Sequence, residues 1–172
     1  MDILRNNAKG LDGLGQLQSL MEQGIPAPIG RTMGFSLVEV EKGRAVFEGA
    51  PGQDVLNPIG SVHGGYAATL LDSACGCSVH TMLSPLQGFS TLELKVSYHR
   101  ALNGGGGLVR AEGRVVSIGR RAAFAEARLT DAAGALCATA TSTLLVFDLS
   151  AKPAPRRESS SDLLSRLRAA SG

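Results

Sequence analysis

The stretch of sequence that decides the fold runs Asn57-Pro58-Ile59-Gly60-Ser61-Val62-His63-Gly64-Gly65-Tyr66-Ala67-Ala68-Thr69-Leu70-Leu71-Asp72. A turn rich in Pro and Gly leads to His63, and two glycines then open an apolar helix that contains Asp72. An unpaired carboxylate buried in such a helix is energetically expensive. The N–H groups at a helix N-terminus attract developing negative charge. The two features together indicate a reaction centre rather than an ordinary core helix.

Hydrophobic spacing on either side of this stretch predicts one long helix among many strands. A three-to-four spacing predicts a short helix over 11–23, and the long helix over 64–82 is apolar on nearly all sides, so we expect it to be buried. Leu92, Leu94, Val96 and Tyr98 alternate with polar residues, which is typical of a half-buried strand. Further strands are predicted over 33–40, 43–50, 107–118, 121–131 and 135–148. The economical architecture is an α+β fold with an antiparallel sheet of five to six strands curled round one central helix.

The length of 172 residues suits one domain of roughly 100–150 residues with extensions at both ends. We expect a flexible N-terminus over 1–10, a folded domain over 11–149 and a mobile C-terminal tail over 150–172. The net charge is only +2, and aromatic residues make up 4% of the chain. This composition argues against a nucleic-acid partner.

The sequence also argues against a membrane, a disulfide framework and a metal. No run approaches the ~20 apolar residues of a membrane span, and no signal peptide is recognisable at the N-terminus. Cys75, Cys77 and Cys137 are odd in number, and the first two point in different directions on a helix. We therefore expect a cytoplasmic protein whose cysteines are reduced and apolar in character, without metal or cofactor.

Asp72 is the first candidate for chemistry, as a general base or nucleophile held in an apolar wall. Its alternative is a structural carboxylate in a salt bridge. Gly64 and Gly65 are candidates for oxyanion donors, because bare amides at a helix start can approach a carbonyl oxygen; otherwise they serve only the turn. His63 either orients a substrate or is a structural residue, and Asn57 is a turn residue or a partner of His63 or of the substrate.

The spacing between these candidates predicts a shared site. Gly64 and Asp72 are eight residues apart on one helix, which is roughly 12 Å. An oxyanion donor at ~3 Å and an attacking group at ~3–3.5 Å from one carbonyl cannot both come from that helix. Two antiparallel copies of the helix, related by a two-fold axis, can supply them. We therefore expect a homodimer in which Gly64 of one chain faces Asp72 of the other.

Three arginines are candidates for contacts with the phosphates of a nucleotide-bearing substrate. Arg100 ends one predicted strand, and Arg120 and Arg121 stand at the start of another. Solvated charge at the sheet edge is the alternative.

The pattern Asn-x5-His-Gly-Gly-x6-Leu-Asp, followed by the alternating strand over 91–100, resembles the hotdog-fold acyl-CoA thioesterases. It is most similar to the phenylacetic-acid-degradation branch, over roughly residues 15–148. The resemblance implies a hotdog fold, a homodimer and often a homotetramer of two dimers. It also implies that an acyl-CoA thioester is hydrolysed to a free acid and coenzyme A without a metal.

By position, the resemblance makes Asp72 the catalytic carboxylate and Gly64 the oxyanion amide, with His63 and Asn57 supporting the carbonyl side. Ser90 takes the place of a hydroxyl that some relatives have near the carboxylate. Whether Asp72 acts as a base on water or as a direct nucleophile stays open, and so does the acyl group, for which aryl and medium-chain acids are both candidates.

Two other functions fit the same fold. One is a non-catalytic acyl-CoA-binding protein, although a binder has no need of a carboxylate at position 72. The other is an acyl-CoA hydratase, whose relatives carry an Asp a few residues before the His. Here Asp54 is nine residues before His63, and no Gly-Asp pair precedes Asn57.

Overall fold

The computed structural model describes residue 8, residues 10–105 and residues 107–149. The predicted flexible N-terminus, apart from residues 8 and 10, and the predicted tail over 150–172 lie outside the described residues. The helices are α1 (Gly13–Glu22), α2 (Pro28–Met33) and α3 (Gly64–His80). The strands are β1 (Phe35–Glu41), β2 (Arg44–Gly49), β3 (Gln87–Tyr98), β4 (Val109–Ile118), β5 (Ala122–Thr130) and β6 (Leu136–Asp148).

The six strands form one antiparallel sheet in the order β1-β2-β4-β5-β6-β3. Helix α3 lies on one face of this sheet and contacts all six strands. This arrangement confirms the predicted α+β hotdog architecture. Strands β1 and β3 form the two edges, so the 12-residue β3 has one long side without a strand partner among the described residues.

Where α3 crosses β4 and β5, the facing strand positions are mostly small residues, which lets the helix approach the sheet closely. Three of the four inward positions of β5 are alanines, Ala123, Ala125 and Ala127, and the fourth is Leu129; all four are buried. In β4, Gly113 lies so close to the Ala74 carbonyl of α3 that an added Cβ would overlap it. Short side chains on both surfaces therefore bring the helix within direct contact of the strands.

One face of α3 is not covered, which corrects the expectation of a helix buried on nearly all sides. The residues at this uncovered face are half-buried or exposed: Gly65, Ala68, Thr69, Asp72 and Ser73. The opposite face carries the largest buried side chains, among them Tyr66, Leu70 and Leu71. The uncovered face carries small and polar residues rather than large apolar ones, so it is shaped for a close approach by another polar or small surface.

Strand β3 departs from strict alternation. An irregularity in its pairing with β6 lies between Thr91 and Glu93, and it turns Leu92 away from the core, leaving that side chain 64% exposed. Leu94 and Val96 pack against the core as the alternation predicts. The prediction of a half-buried strand is therefore right at Leu94 and Val96 and wrong at Leu92 and at Tyr98, which is 56% exposed.

Helix α2 is an element that the sequence pattern did not predict. It begins with Pro28, which is favourable at the first position of a helix, and ends at Gly34, whose φ of 71° closes the last turn in the left-handed conformation. A tight hairpin turn joins β5 to β6. The Asp131 carboxylate accepts the N–H groups of Ala133 and Ala135, and Gly134 has a φ of 79°.

In the described part of the chain, no helix combines the length and the hydropathy needed to cross a lipid bilayer.

Candidate active site

His63 caps the N-terminus of α3 with its own side chain. The ring Nδ1 accepts the Gly65 N–H at 2.9 Å. A neutral ring that accepts at Nδ1 carries its proton on Nε2, and within the described part of the chain this Nε2–H has no hydrogen-bond partner on the exposed side chain. The backbone of His63 is also fixed, since its N–H donates to the Val55 carbonyl at 2.8 Å.

The two glycines that open α3 have different roles, although the sequence suggested that both amides were bare. The Gly65 N–H is engaged by His63. The Gly64 N–H makes no hydrogen bond to any residue in the described parts of the chain, so it is the one available for a ligand oxygen. Only Gly64 therefore fits the predicted oxyanion donor.

Tyr98, the last residue of β3, contacts the start of α3. The sequence did not single it out as a site residue. Its hydroxyl donates to the Gly64 carbonyl at 2.8 Å. An added Cβ on Gly64 would lie 3.1 Å from the Tyr98 hydroxyl oxygen and 3.2 Å from the ring. The phenol thus occupies the space that a side chain at position 64 would need, which gives a steric reason for glycine there.

The Asn57 side chain closes the loop before α3 and does not bond to His63. Its amide nitrogen donates to Ser61 Oγ at 2.8 Å, and its oxygen accepts the Ile59 N–H at 3.1 Å. The backbone closes the same turn, with the Asn57 N–H donating to the Ser61 carbonyl at 2.9 Å. In this structure Asn57 is therefore a turn residue that supports the approach to His63.

Asp72 lies on the uncovered face of α3 and is half-buried, not enclosed in an apolar wall as expected. One carboxylate oxygen accepts the Thr91 hydroxyl at 3.1 Å. Thr91 pairs with the core residue Leu144, whereas Ser90 pairs with Leu145 and is exposed on the other face of the sheet. Within one chain the hydroxyl beside the carboxylate is that of Thr91, and the expectation for Ser90 is corrected.

Two cysteines lie within reach of the field of Asp72. Burial raises the pKa of Cys75 and of Cys77 to about 12, and the charge of Asp72 adds to the rise in both. At neutral pH both groups are therefore neutral thiols rather than nucleophilic thiolates. Among the described residues no group of three His, Cys, Asp or Glu side chains is arranged to hold a metal ion.

A cleft of about 330 Å³ opens at the N-terminus of α3. Its walls include His63, Gly64, Tyr98, His99 and Arg100. The structure thus brings one predicted arginine together with the predicted oxyanion donor.

The other two predicted arginines lie elsewhere. Arg120 and Arg121 are exposed in the turn between β4 and β5, which is at the opposite end of the sheet from the cleft. Both ends of the sheet therefore carry exposed positive charge, but a single chain cannot bring all three arginines to one ligand.

In one chain, the N–H donors that suit a carbonyl oxygen and the carboxylate that could act as base or nucleophile lie in two separate places. The cleft offers a backbone N–H at a helix N-terminus and an imidazole N–H, which suit a carbonyl oxygen that gains negative charge. The carboxylate lies eight residues along the same helix, roughly 12 Å away.

The sequence of this chain is similar to those of thioesterases and of a CoA-ester hydrolase. The sequence model of the thioesterase superfamily matches residues 59–138, which include every predicted site residue except Asn57. The 1,4-dihydroxy-2-naphthoyl-CoA hydrolase of Listeria monocytogenes is 29% identical over 100 residues, which is 58% of this chain and 80% of that protein.

Two solved structures share the fold as well as part of the sequence. A phenylacetic acid degradation-related protein of Ralstonia eutropha JMP134 is 30% identical with a TM-score of 0.66, covering 74% of this chain and 97% of the other. A protein of Streptococcus mutans UA159, solved with acetyl-CoA bound, is 27% identical with a TM-score of 0.62, covering 67% of this chain and 90% of that one.

Proposed function

The chain belongs to the thioesterase superfamily and is a thioester hydrolase, and from this premise we propose that it hydrolyses aryl- or medium-chain acyl-CoA in active sites shared by two copies of the chain. Water supplies the oxygen that bonds to the thioester carbonyl carbon. The carbon–sulfur bond breaks, the sulfur leaves with a proton as the thiol of coenzyme A, and the acid is released.

The observation that carries this proposal is the position of Asp72. It lies on the one uncovered face of α3, and the Gly64 N–H lies roughly 12 Å away at the start of the same helix. A carboxylate on an exposed small-residue face is placed to serve a second molecule rather than its own helix end.

The sheet favours the same assembly. Strand β3 has an open edge of 12 residues with Leu92 64% exposed, and an open edge of this length favours pairing with another strand. Two copies related by a two-fold axis would extend the sheet through β3 and set the uncovered faces of α3 against each other in opposite directions. Gly64 would then face Asp72 of the partner subunit.

In such a site the Gly64 N–H and the His63 Nε2–H would both donate to the thioester oxygen as it gains charge. Asp72 of the partner subunit would either take a proton from water or attack the carbonyl carbon itself. The Thr91 hydroxyl, at 3.1 Å from the Asp72 carboxylate, would hold that carboxylate in one orientation.

The substrate-binding arginines are also brought together by the two-fold axis. The antiparallel arrangement sets the end of β3 that carries Tyr98 beside the other end of β3 in the second copy. Arg100 would then share one end of the composite sheet with Arg120 and Arg121 of the partner subunit, at a place where the CoA phosphates can bind. Gly65 contributes by leaving space at the helix start. The tetramer of two dimers and the cytoplasmic location stay predictions from the sequence.

Two relatives favour an aryl acyl group. The Listeria relative is named as a hydrolase of dihydroxynaphthoyl-CoA, and the Ralstonia protein is described as phenylacetic acid degradation-related. The Streptococcus protein with bound acetyl-CoA favours recognition of the CoA portion.

The direct test measures thiol release from a panel of aryl- and fatty-acyl-CoAs by the wild type, Asp72→Asn and Asp54→Asn. Asp54 is an exposed carboxylate in a short 3-10 turn, Gln53–Val55, that precedes the site, and it serves as the matched control. We expect Asp72→Asn to lower kcat on the order of 10²-fold or more, with the control close to wild type. A blank without substrate corrects for the three cysteines of the protein. A wild type that releases no thiol from any ester would refute the hydrolase.

A second test decides whether the site is shared. The variants His63→Ala and Asp72→Asn, each expected to be nearly inactive alone, are prepared separately. They are then mixed under conditions in which dimers exchange subunits. In a mixed dimer one site holds both defects and the other holds neither, so random exchange restores about a quarter of the wild-type sites. No recovery, with mixed dimers shown to form, would place the whole site in one chain.

A further inference from the structure

One peptide unit at the start of α3 is held from both sides. The carbonyl of the Gly64–Gly65 peptide accepts the Tyr98 hydroxyl at 2.8 Å, and the N–H of the same peptide donates to His63 Nδ1 at 2.9 Å. A hydrogen-bonded chain therefore runs from the phenol through the peptide to the imidazole. It joins residues from the end of β3 to the first turn of the helix.

We propose that Tyr98 is a positioning residue that fixes the tautomer and orientation of His63 through the Gly64–Gly65 peptide. Its effect on catalysis rests on the proposed thioester hydrolysis, whereas its effect on His63 does not. The residue acts without contacting the reacting atoms.

Tyr98 can affect His63 because the peptide between them is polarised by the hydrogen bonds at its two ends. A donor at the carbonyl oxygen polarises the amide, so its N–H becomes a better donor to the imidazole. A stronger N–H donor at Nδ1 favours the ring form that keeps its proton on Nε2, and His63 is one of the residues that line the cleft. The same bond fixes the first helical turn, from which the Gly64 N–H projects.

The exposure of Tyr98 argues that the hydroxyl, and not the ring alone, is important here. In the single chain the side chain is 56% exposed, so it contributes little to that chain's own core, although pairing through β3 in the proposed dimer would cover part of it. Its ring nevertheless lies close over Gly64, where a Cβ on residue 64 would force the ring to shift by a few tenths of an ångström. An exposed aromatic side chain held by a single directed hydrogen bond is placed for geometry more than for burial.

The other tyrosine of the chain provides a matched control. Tyr66 is only 1% exposed, and among the described residues its hydroxyl has no hydrogen-bond partner. Burial raises the pKa of this hydroxyl. Tyr66→Phe and Tyr98→Phe each delete one tyrosine hydroxyl. Tyr66 is two residues from Gly64 along the chain, whereas Tyr98 is hydrogen-bonded to the Gly64 carbonyl. Only Tyr98→Phe therefore breaks the hydrogen-bonded chain to His63.

The first experiment compares these two variants in kinetics with the best acyl-CoA. We expect Tyr98→Phe to lower kcat about threefold to tenfold, in proportion to the loss of one hydrogen bond, with KM unchanged. Tyr66→Phe should stay within about twofold of wild type, because no bond is lost. In a His63→Ala background Tyr98→Phe should have no further effect on kcat, since the residue through which it acts is gone.

The second experiment needs no turnover and therefore separates this proposal from the proposed function. The 15N chemical shifts of the His63 ring report its tautomer, and amide hydrogen exchange reports the Gly65 N–H. Tyr98→Phe should reduce the Nε2–H form of His63 and speed exchange at Gly65, while Tyr66→Phe changes neither. Unchanged ring shifts and exchange in Tyr98→Phe, or a kcat loss that adds fully to that of His63→Ala, would overturn the proposal.

Discussion

The two ends of helix α3 each carry a histidine, and the two side chains have opposite surroundings. His63 precedes the first turn, is exposed, and accepts the Gly65 N–H within its own turn. His80 is the last residue of the helix and is 6% exposed. Its Nε2 lies 2.9 Å from the Gln16 side-chain oxygen, which belongs to α1.

Both rings carry a proton on the same nitrogen. The Gln16 amide nitrogen donates to the Leu11 carbonyl at 2.8 Å, so its oxygen faces the His80 ring and accepts from Nε2. In His63, which is among the residues that line the cleft, Nε2 carries the proton because Nδ1 accepts the Gly65 N–H. The same tautomer thus stabilises the fold at one end of α3 and is available to a ligand at the other, and burial and partners make the difference.

The C-terminal end is also packed more closely. An added Cβ on Gly13 would overlap the His80 carbonyl, and the Gly13 N–H donates to the Leu83 carbonyl at 3.0 Å. The Phe89 ring lies 5.9 Å from the His80 ring. These contacts pack the C-terminal end of α3 closely, whereas the N-terminal end opens into the cleft.

The largest expected difference between the ends is catalytic. In the proposed shared site His63→Ala would remove a donor to the developing oxyanion, and we expect kcat to fall about 10²-fold. The loss of stability should be about 1 kcal/mol, as for other N-caps. Steady-state kinetics and urea unfolding measure the two effects.

His63→Asn sharpens this prediction, since Asn is a good N-cap but its shorter side chain does not place a donor where Nε2–H lies. It should recover stability and stay low in activity. Full activity in His63→Asn would show that capping alone is what the residue contributes.

The second prediction concerns the C-terminal end. His80→Ala leaves the Gln16 oxygen buried without its donor and creates a cavity, so we expect a loss of about 2–3 kcal/mol in the free energy of unfolding. Gln16→Ala should lose about 1–2 kcal/mol by the same reasoning. The two losses should not add in the double variant, because they remove one shared bond.

Activity under conditions where these variants stay folded should change less than about twofold, since neither residue reaches the cleft. A fall in kcat as large as that of His63→Ala, with stability intact, would erase the distinction between the two ends.

Most elements of this fold could be predicted from the sequence because their patterns are local. The strands and α3 have a repeating hydrophobic spacing over many residues, and their observed bounds lie close to the predicted ones. Helix α2 has six residues, too few for a periodic pattern, and only Pro28 and Gly34 mark its ends. The bulge at Leu92 was invisible because side chains there continue the alternation in the sequence.

In the candidate site too, residues close together in sequence could be predicted and residues brought in from distant strands could not. His63, Gly64 and Asp72 could be singled out because they lie within one short stretch of sequence. Tyr98 and Thr91 reach them across 34 and 19 residues, through a strand whose register the sequence does not fix. The sequence pointed to Ser90, but the hydroxyl beside Asp72 is that of Thr91. A difference of one residue along a strand moves a side chain to the other face of the sheet.

The smallest expected effect tests how the N-terminal end is supported. The Asn57 side chain bonds to Ser61 and to the Ile59 N–H, so its role is to close the turn. In Asn57→Asp one carboxylate oxygen still accepts from Ile59, and the other accepts from the Ser61 hydroxyl in the reversed direction. We expect less than about a threefold change in kcat for this variant and for Ser61→Ala, with stability lowered by at most about 1 kcal/mol.

The pair of variants distinguishes a turn residue from a substrate contact. If the Asn57 amide N–H instead donated to the substrate, Asn57→Asp would replace a donor by a negative charge beside the developing oxyanion. The kcat of that variant would then fall far below that of Ser61→Ala, by about 10²-fold. Equal and small effects mean that the N-terminal end of α3 needs the loop only for its shape, and that the donors to the oxyanion all come from the first turn of the helix and its cap.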